Sequence, residues 1–264
     1  MPAVKPGMIG VFGQTHFELE HLIDLKTFDD IQLDILKGMA LSKKLTIRGQ
    51  FRNPIVDEQR SYVFDKVKPM FHAYEEFMAL PDSDPVKQIG LSIREQDNHA
   101  FVEFMKFAYG AHDHYTVYNF WDGVPGWKAD PKKRPPNEIA EYFPSLLTWI
   151  ESLITAGIFT HVGRAYIVSV DSFGISFEHR DNQADPQSDT DSEFIHVRLN
   201  TKRPFYVYNA ETKERFYIES RVGWWNDKDT HGGDPIAEPA YAVRIDGVFT
   251  EEFRNKIKNE TIPN

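Results

Sequence analysis

The hydrophobic rhythm of the chain changes near residue 157. Before it, apolar residues recur at helical spacing. Asp57 to Leu80 carries Val63, Val67, Met70, Phe71, Tyr74, Phe77 and Met78 on that period, which predicts a helix ending before Pro81 and Asp82. Gln96 to Tyr109 repeats the pattern with Phe101, Phe104, Met105 and Ala108. Pro144 to Ala156 does so again with Leu146, Leu147, Trp149, Ile150, Leu153 and Ile154. Asp122 to Asn137 is rich in Pro, Gly and Lys and is read as a loop.

After Gly157 the apolar residues come in short, β-branched and aromatic runs. Ala165 to Val170 and Gly174 to Phe177 predict two strands broken near Asp171. Phe194 to Thr201, Phe205 to Asn209, Arg215 to Glu219, Val222 to Trp225 and Tyr241 to Ile245 predict five more, with Asn209 to Glu214 as a polar hairpin loop. Many short strands separated by turns imply a sandwich or barrel. The expected architecture is one domain over 1–264. Residues 1–156 form a mostly helical and loop support on the substrate side, 157–249 the β core, and 250–264 a C-terminal helix or tail.

Composition narrows the partners. Aromatic residues make up 14% of the chain, which suits β-rich packing. A net charge of −10 without a Lys/Arg cluster argues against a nucleic-acid partner, whose phosphates need a basic surface. The absence of Cys excludes disulfides and thiolate ligation. No secretory leader is recognisable and no apolar run reaches membrane-spanning length, so a cytoplasmic protein without membrane attachment is expected. A homodimer is left open.

The candidate chemistry lies in the β-rich half. His179 and Asp181 are two apart at the end of an apolar run, so on a strand both side chains leave the same face. His231 follows some fifty residues later beside Gly232 and Gly233, which permit close backbone approach. Two His and one carboxylate are the ligand set of a mononuclear non-haem iron site, with open positions for further ligands. Taken alone, a His-x-Asp is more often an ordinary ion pair at a strand end. His112-Asp113-His114 mimics the motif but lacks a distant third ligand, and is read as a loop or polar surface.

Residues 163–246 resemble the iron(II)/2-oxoglutarate-dependent oxygenase superfamily. The resemblance rests on Phe177-Glu178-His179-Arg180-Asp181-Asn182, then Asp229-Thr230-His231-Gly232-Gly233, then Tyr241-Ala242-Val243-Arg244-Ile245, and covers about a third of the chain. It implies a double-stranded β-helix (jelly-roll, cupin-like) core braced by N-terminal helices. It further implies iron(II) held by His179, Asp181 and His231, with 2-oxoglutarate as cosubstrate and O2 as oxidant. By this analogy Arg244 grips the far carboxylate of 2-oxoglutarate through a guanidinium fork. Arg198, on an apolar strand, is the rival for that role. Halogenating members replace the carboxylate ligand by a small residue, and Asp181 is intact, so hydroxylation is expected.

Smaller expectations attach to neighbouring residues. Trp224 and Trp225 are adjacent on a strand, so one faces the pocket and the other the core. Arg164 and Tyr166 share a face leading to the site, and Tyr115, Tyr118, Asn119 and Trp121 are read as substrate contacts from outside the barrel. Asn182 to Asp191 is polar and is read as a mobile lid. The expected substrate is a small carboxylate-bearing molecule such as an amino acid or derivative. The alternatives are a peptide or protein side-chain hydroxylase, and a cupin-like barrel that binds metal or ligand without oxidation.

Overall fold

The structure is a computed structural model and describes residues 2–49, 68–96, 101, 104–105, 108, 111–112, 115–121, 136–170, 176–181 and 193–259. Its strands, in chain order, are β1 (His16–Glu18), β2 (Lys68–Pro69), β3 (Ala111–His112), β4 (Tyr115–Trp121), β5 (Phe159–Val170) and β6 (Ser176–His179). They continue with β7 (Glu193–Arg198), β8 (Phe205–Asn209), β9 (Glu214–Tyr217), β10 (Val222–Trp225), β11 (His231–Gly233) and β12 (Ala240–Phe249). The helices named below are α1 (Leu25–Asp30), α2 (Gln32–Gly49), α3 (Met70–Ala79), α4 (Pro85–Gln96), α5 (Pro144–Thr155) and α6 (Glu251–Asn259). Among the described residues no helix is long and apolar enough to cross a membrane.

Strand order identifies the fold. One sheet runs β1-β10-β7-β12-β5-β4 and a second runs β6-β11-β8-β9, with antiparallel pairing throughout both. From β5 to β12 the chain passes from one sheet to the other at every connection except the β8–β9 hairpin. That winding is a double-stranded β-helix, the jelly roll, extended at its edges by β1 and β4. The β8–β9 hairpin closes where Asn209 Oδ1 accepts from the amides of Glu211 and Thr212, with Lys213 in the left-handed region at φ 59°.

The larger sheet has two unlike faces. Ile195, Val197, Val243, Ile245, Ala165 and Ile167 alternate outward into one apolar core with Phe28, Ile35, Met39, Leu146, Trp149 and Ile150 of α1, α2 and α5. Trp149 ties the helices together by packing at a tilt against Phe28, ring centres 4.8 Å apart, and donating its indole N–H to Asp24 O at 3.2 Å. The alternate residues of the same strands, among them His196, Arg198, Arg244 and Asp246, face the other way into the barrel. Helices therefore cover the apolar face, while the inward face sets charged and polar side chains among buried aromatic ones.

Several elements differ from what periodicity predicts. α2 was not expected, because its buried Ile35 and Met39 share the helix with exposed Leu33, Leu36 and Leu41, which blurs the amphipathic period. α4 was also missed. α3 falls within the helix expected over 57–80, whose first part lies outside the described residues, as do the 122–135 loop and the 182–191 lid segment. Tyr118 and Trp121, expected as outside substrate contacts, are instead core residues of the edge strand β4, and Phe120 between them is fully buried. α3 and α4 form a satellite cluster with Phe101 and Met105. Glu178 on the outer side of the smaller sheet joins that cluster to the barrel by accepting from Arg94, from Arg215 at 2.8 Å and from Tyr206 at 3.2 Å.

His16 on β1 supplies a pH test of the fold. Burial lowers its pKa from 6.5 to about 4, against an opposing pull from Glu18. Folding therefore keeps the ring neutral while the unfolded chain takes up a proton below pH 6.5. The stability so contributed is present above 6.5 and lost as pH falls toward 4, with an upper size of roughly 3 kcal/mol. The urea midpoint is expected to fall from pH 7 to pH 4.5 by clearly less in His16→Gln than in the unaltered protein; equal falls would contradict it.

Candidate metal centre

The two sheets meet at one end of the barrel, where β6 stops, β10 leaves for β11, and β7 begins. β11 runs between β6 and β8, and its His231 is the cross-strand partner of His179 on one side and of Val207 on the other. Antiparallel partners hold their Cα atoms about 4.5–5.5 Å apart. A bulge follows, since Gly233 pairs with Ser176 and β6 carries one residue more than β11 over this span. The sequence leaves open whether His231 arrives on a strand or a turn, because two glycines are poor strand formers; it lies on a strand. A Cβ on Gly233 would lie 2.8 Å from the Arg203 guanidinium, which donates to Gly233 O, so a larger residue there would require that side chain to shift.

Asp181 lies just past the end of β6, fixed by its amide donating to Asp227 O at 2.9 Å. Its Oδ2 is 3.7 Å from His231 Nε2. His231 Nδ1 lies 3.0 Å from Asp229 O, so with Nδ1 carrying the proton the ring presents a lone pair at Nε2 toward Asp181. Asp229 is itself anchored: its carboxylate accepts the amides of Ile9 at 2.8 Å and Gly10 at 2.7 Å, and Asn226 Nδ2 donates to Gly10 O. The N-terminal segment thus holds the loop that delivers His231, a role with no signature in local sequence.

A nitrogen and a carboxylate oxygen that face each other, one of them oriented through its second ring nitrogen, suit a divalent metal of the imidazole- and carboxylate-binding class. Among the described residues no group of three or more ligand side chains converges. The side chain of His179 lies outside the described residues, and its backbone position opposite His231 is what the structure supplies.

Arg244, on β12, is almost wholly buried and sits between Tyr166 of β5 and His196 of β7. Its guanidinium is surrounded by carboxylates. Nε donates to Asp246 Oδ1 at 2.9 Å, Nη2 lies 3.1 Å from Asp227 Oδ2, and Nη1 donates to Asp181 Oδ2 at 2.6 Å. Its Cζ lies 3.8 Å from the centre of the Phe194 ring. Burial works against its charge, but Asp246, Tyr166, Asp181 and Asp227 outweigh it and the pKa rises. Arg198 differs. Its donors end on main-chain carbonyls, those of Arg203 at 3.0 Å, Ile218 and Ser220, and burial lowers its pKa.

The walls are aromatic. Trp225 packs against Phe194, His196, Phe205 and His231, while Trp224 turns outward to Phe12, Phe17 and Phe249. The two adjacent rings take opposite faces of β10, and both are buried. The indole N–H of Trp225 is buried and has no acceptor among the described residues, and Asp246 Oδ2 likewise lacks a donor. His196 is held neutral by burial and by the cations Arg198 and Arg244. Arg164 reaches over the Tyr166 ring at 4.4 Å, and the two share the face of β5 that borders Asp246 and Arg244. Sequence reading missed Asp246 and Asp229. The former was accessible from alternation, being two residues beyond Arg244 on the same strand face.

No protein-family model matches the chain, and no curated protein matches it. Solved structures align over parts of it. A prolyl hydroxylase from Trichoplax adhaerens, in complex with a hypoxia inducible factor peptide fragment, is 15% identical over 57% of this chain and 68% of its own, with a TM-score of 0.33. An oxidoreductase of the 2OG-Fe(II) oxygenase family from Burkholderia pseudomallei is 12% identical over 63% and 91%, with a TM-score of 0.34. An RmlC-like cupin protein from Desulfovibrio desulfuricans is 12% identical over 34% and 73%, with a TM-score of 0.23. Superpositions this loose add no weight beyond the strand order described above.

Metal binding at this place predicts ligand-linked stabilisation. A metal at 100 times its dissociation constant adds about 2.7 kcal/mol to the folded state. Excess Mn(II) should therefore raise the thermal midpoint of the protein by several degrees, and His231→Ala should abolish the rise. Full protection in His231→Ala would remove His231 from the site.

Proposed function

We propose that this chain is an iron(II)- and 2-oxoglutarate-dependent dioxygenase that hydroxylates an unactivated C–H bond of a small carboxylate-bearing molecule. The observation that carries this reading is the approach of Asp181 Oδ2 to His231 Nε2 at 3.7 Å, with His179 the strand partner of His231 in a jelly roll. His179, Asp181 and His231 would hold the metal. The orphaned donor of Trp225 beside His231 fits a cosubstrate rich in oxygen acceptors. When bound, iron(II) with 2-oxoglutarate uses O2 to yield succinate, carbon dioxide and one oxygen atom for insertion into the C–H bond.

The protein's own residues supply orientation and exclusion. Asp229 O holds the His231 ring, and Phe194, Phe205 and Trp225 keep water from the barrel interior. His196, neutral and stacked on Phe205, adds no charge to that wall. Spacing along the chain favours Arg244 as the anchor for the far carboxylate of 2-oxoglutarate. Charge favours Arg198, because Arg244 already donates to three carboxylates whereas the hydrogen bonds of Arg198 end on neutral carbonyls, with Glu18, Glu20 and Glu219 acting on it only through the field. We assign the anchor to Arg198. Arg164 and Arg180 at the mouth support an anionic substrate.

Two measurements test the proposal. With iron(II), 2-oxoglutarate and O2, a screen of amino acids, their derivatives and peptides is expected to show succinate release and a mass gain of one oxygen on a small carboxylate. A gain on peptides alone would replace the substrate class, and absence of succinate under all conditions would leave a non-oxidative barrel. Loss of one partner of a buried charge pair costs roughly 3–5 kcal/mol. Arg198→Ala is therefore expected to raise the half-saturating 2-oxoglutarate concentration on the order of 100-fold or more; a silent Arg198→Ala would return the anchor to Arg244.

A further inference from the structure

The carboxylate oxygen that faces His231 is the same atom that Arg244 grips. Asp181 Oδ2 lies 3.7 Å from His231 Nε2 and 2.6 Å from Arg244 Nη1. The guanidinium is in turn held from its other edge. Asp246 Oδ1 takes Nε at 2.9 Å and Nη2 at 2.8 Å, and Asp227 Oδ2 lies 3.1 Å from Nη2. The Phe194 ring packs against the group, its centre 3.8 Å from Cζ. Asp181 comes from the end of β6, Asp227 from the β10–β11 loop, and Asp246 from β12 itself. One side chain thus connects the three segments that must converge to bring Asp181 and His231 together.

From this we infer that Arg244 is a positioning residue for the Asp181 carboxylate, locked in plane by Asp246 and Asp227. The inference rests on the reading of Asp181 as a metal ligand. Two physical arguments support it. First, three carboxylates surround one guanidinium, so a fourth carboxylate arriving from a cosubstrate would meet an excess of negative charge, while a divalent cation would meet an attractive one. Second, a planar fork can hold carboxylates in several directions at once, which a lysine ammonium cannot do with fixed geometry. Asp227 and Asp246 both contact the Arg244 guanidinium and act on Asp181 through it.

The test is Mn(II) titration of the full chain by calorimetry, without 2-oxoglutarate and without turnover. It compares the unaltered protein with Arg244→Lys, Asp246→Asn and His231→Ala. Loss of a group that orients a ligand typically weakens metal affinity 10–100-fold. Arg244→Lys is expected to weaken Mn(II) binding by that factor, and Asp246→Asn, which keeps its shape and an acceptor oxygen, by about tenfold. At saturating Mn(II), the 2-oxoglutarate affinity of both variants should stay within about threefold of the unaltered protein, a readout that a general structural defect would not spare. If both variants keep full Mn(II) affinity while His231→Ala loses it, the inference fails and the metal site stands. If all three keep it, the site reading fails and takes the inference with it. Should Arg244→Lys not fold, Asp246→Asn alone decides between these outcomes.

Discussion

A guanidinium cannot be buried without partners, and that constraint organises the mouth of this barrel. Removing Arg244 from water requires charged and hydrogen-bonding compensation, and the structure supplies it from three separate stretches of chain, through Asp181, Asp227 and Asp246. The same requirement brings the end of β6 against the loop that carries His231. The site is therefore not decoration on a finished barrel. Its ion-pair cluster is one of the contacts by which the two sheets close at this end.

The division of the larger sheet into an apolar and a polar face makes such a cluster tolerable. Helices α1, α2 and α5 bury the outward residues of β5, β7 and β12, so the folding free energy gained from apolar burial comes mainly from that side. With that much burial secured outside, some inward positions, among them His196, Arg244 and Asp246, can be polar or charged beside Phe194, Phe205 and Trp225. Trp225 lies on the inward face and Trp224 on the outward one, one residue apart, and the two rings show the division at a single point. A second restraint comes from the N-terminal segment, whose amides at Ile9 and Gly10 hold Asp229 and through it the loop before His231.

Much of this was legible in the sequence because strand alternation is local. The breaks between β5 and β6 and between β8 and β9, and the opposite facing of Trp224 and Trp225, follow from period-two patterning and turn residues. The parts that were not legible depend on distant partners. β11 is a strand only because β6 and β8 flank His231-Gly232-Gly233, and its glycines give no strand propensity of their own. Tyr118 and Trp121 looked like substrate contacts outside the barrel because nothing local shows that β4 adds to the edge of β5 and is buried there. The role of Arg244 was half visible: its spacing from His231 marked it as special, but the carboxylates that engage it lie 2, 17 and 63 residues away. The Arg94–Glu178 link between the α3–α4 cluster and β6 spans 84 residues and was equally out of reach of a local pattern.

The most direct test of this account is a crystal structure of the full chain grown with Mn(II), with anomalous scattering recorded to locate the metal. A single anomalous peak bonded to His231 Nε2, to Asp181 and to His179, with Arg244 still in contact with the Asp181 carboxylate, is the result the account predicts. At saturating Mn(II), a barrel mouth without a peak near Asp181 and His231, or a metal bound elsewhere on the chain, would contradict it.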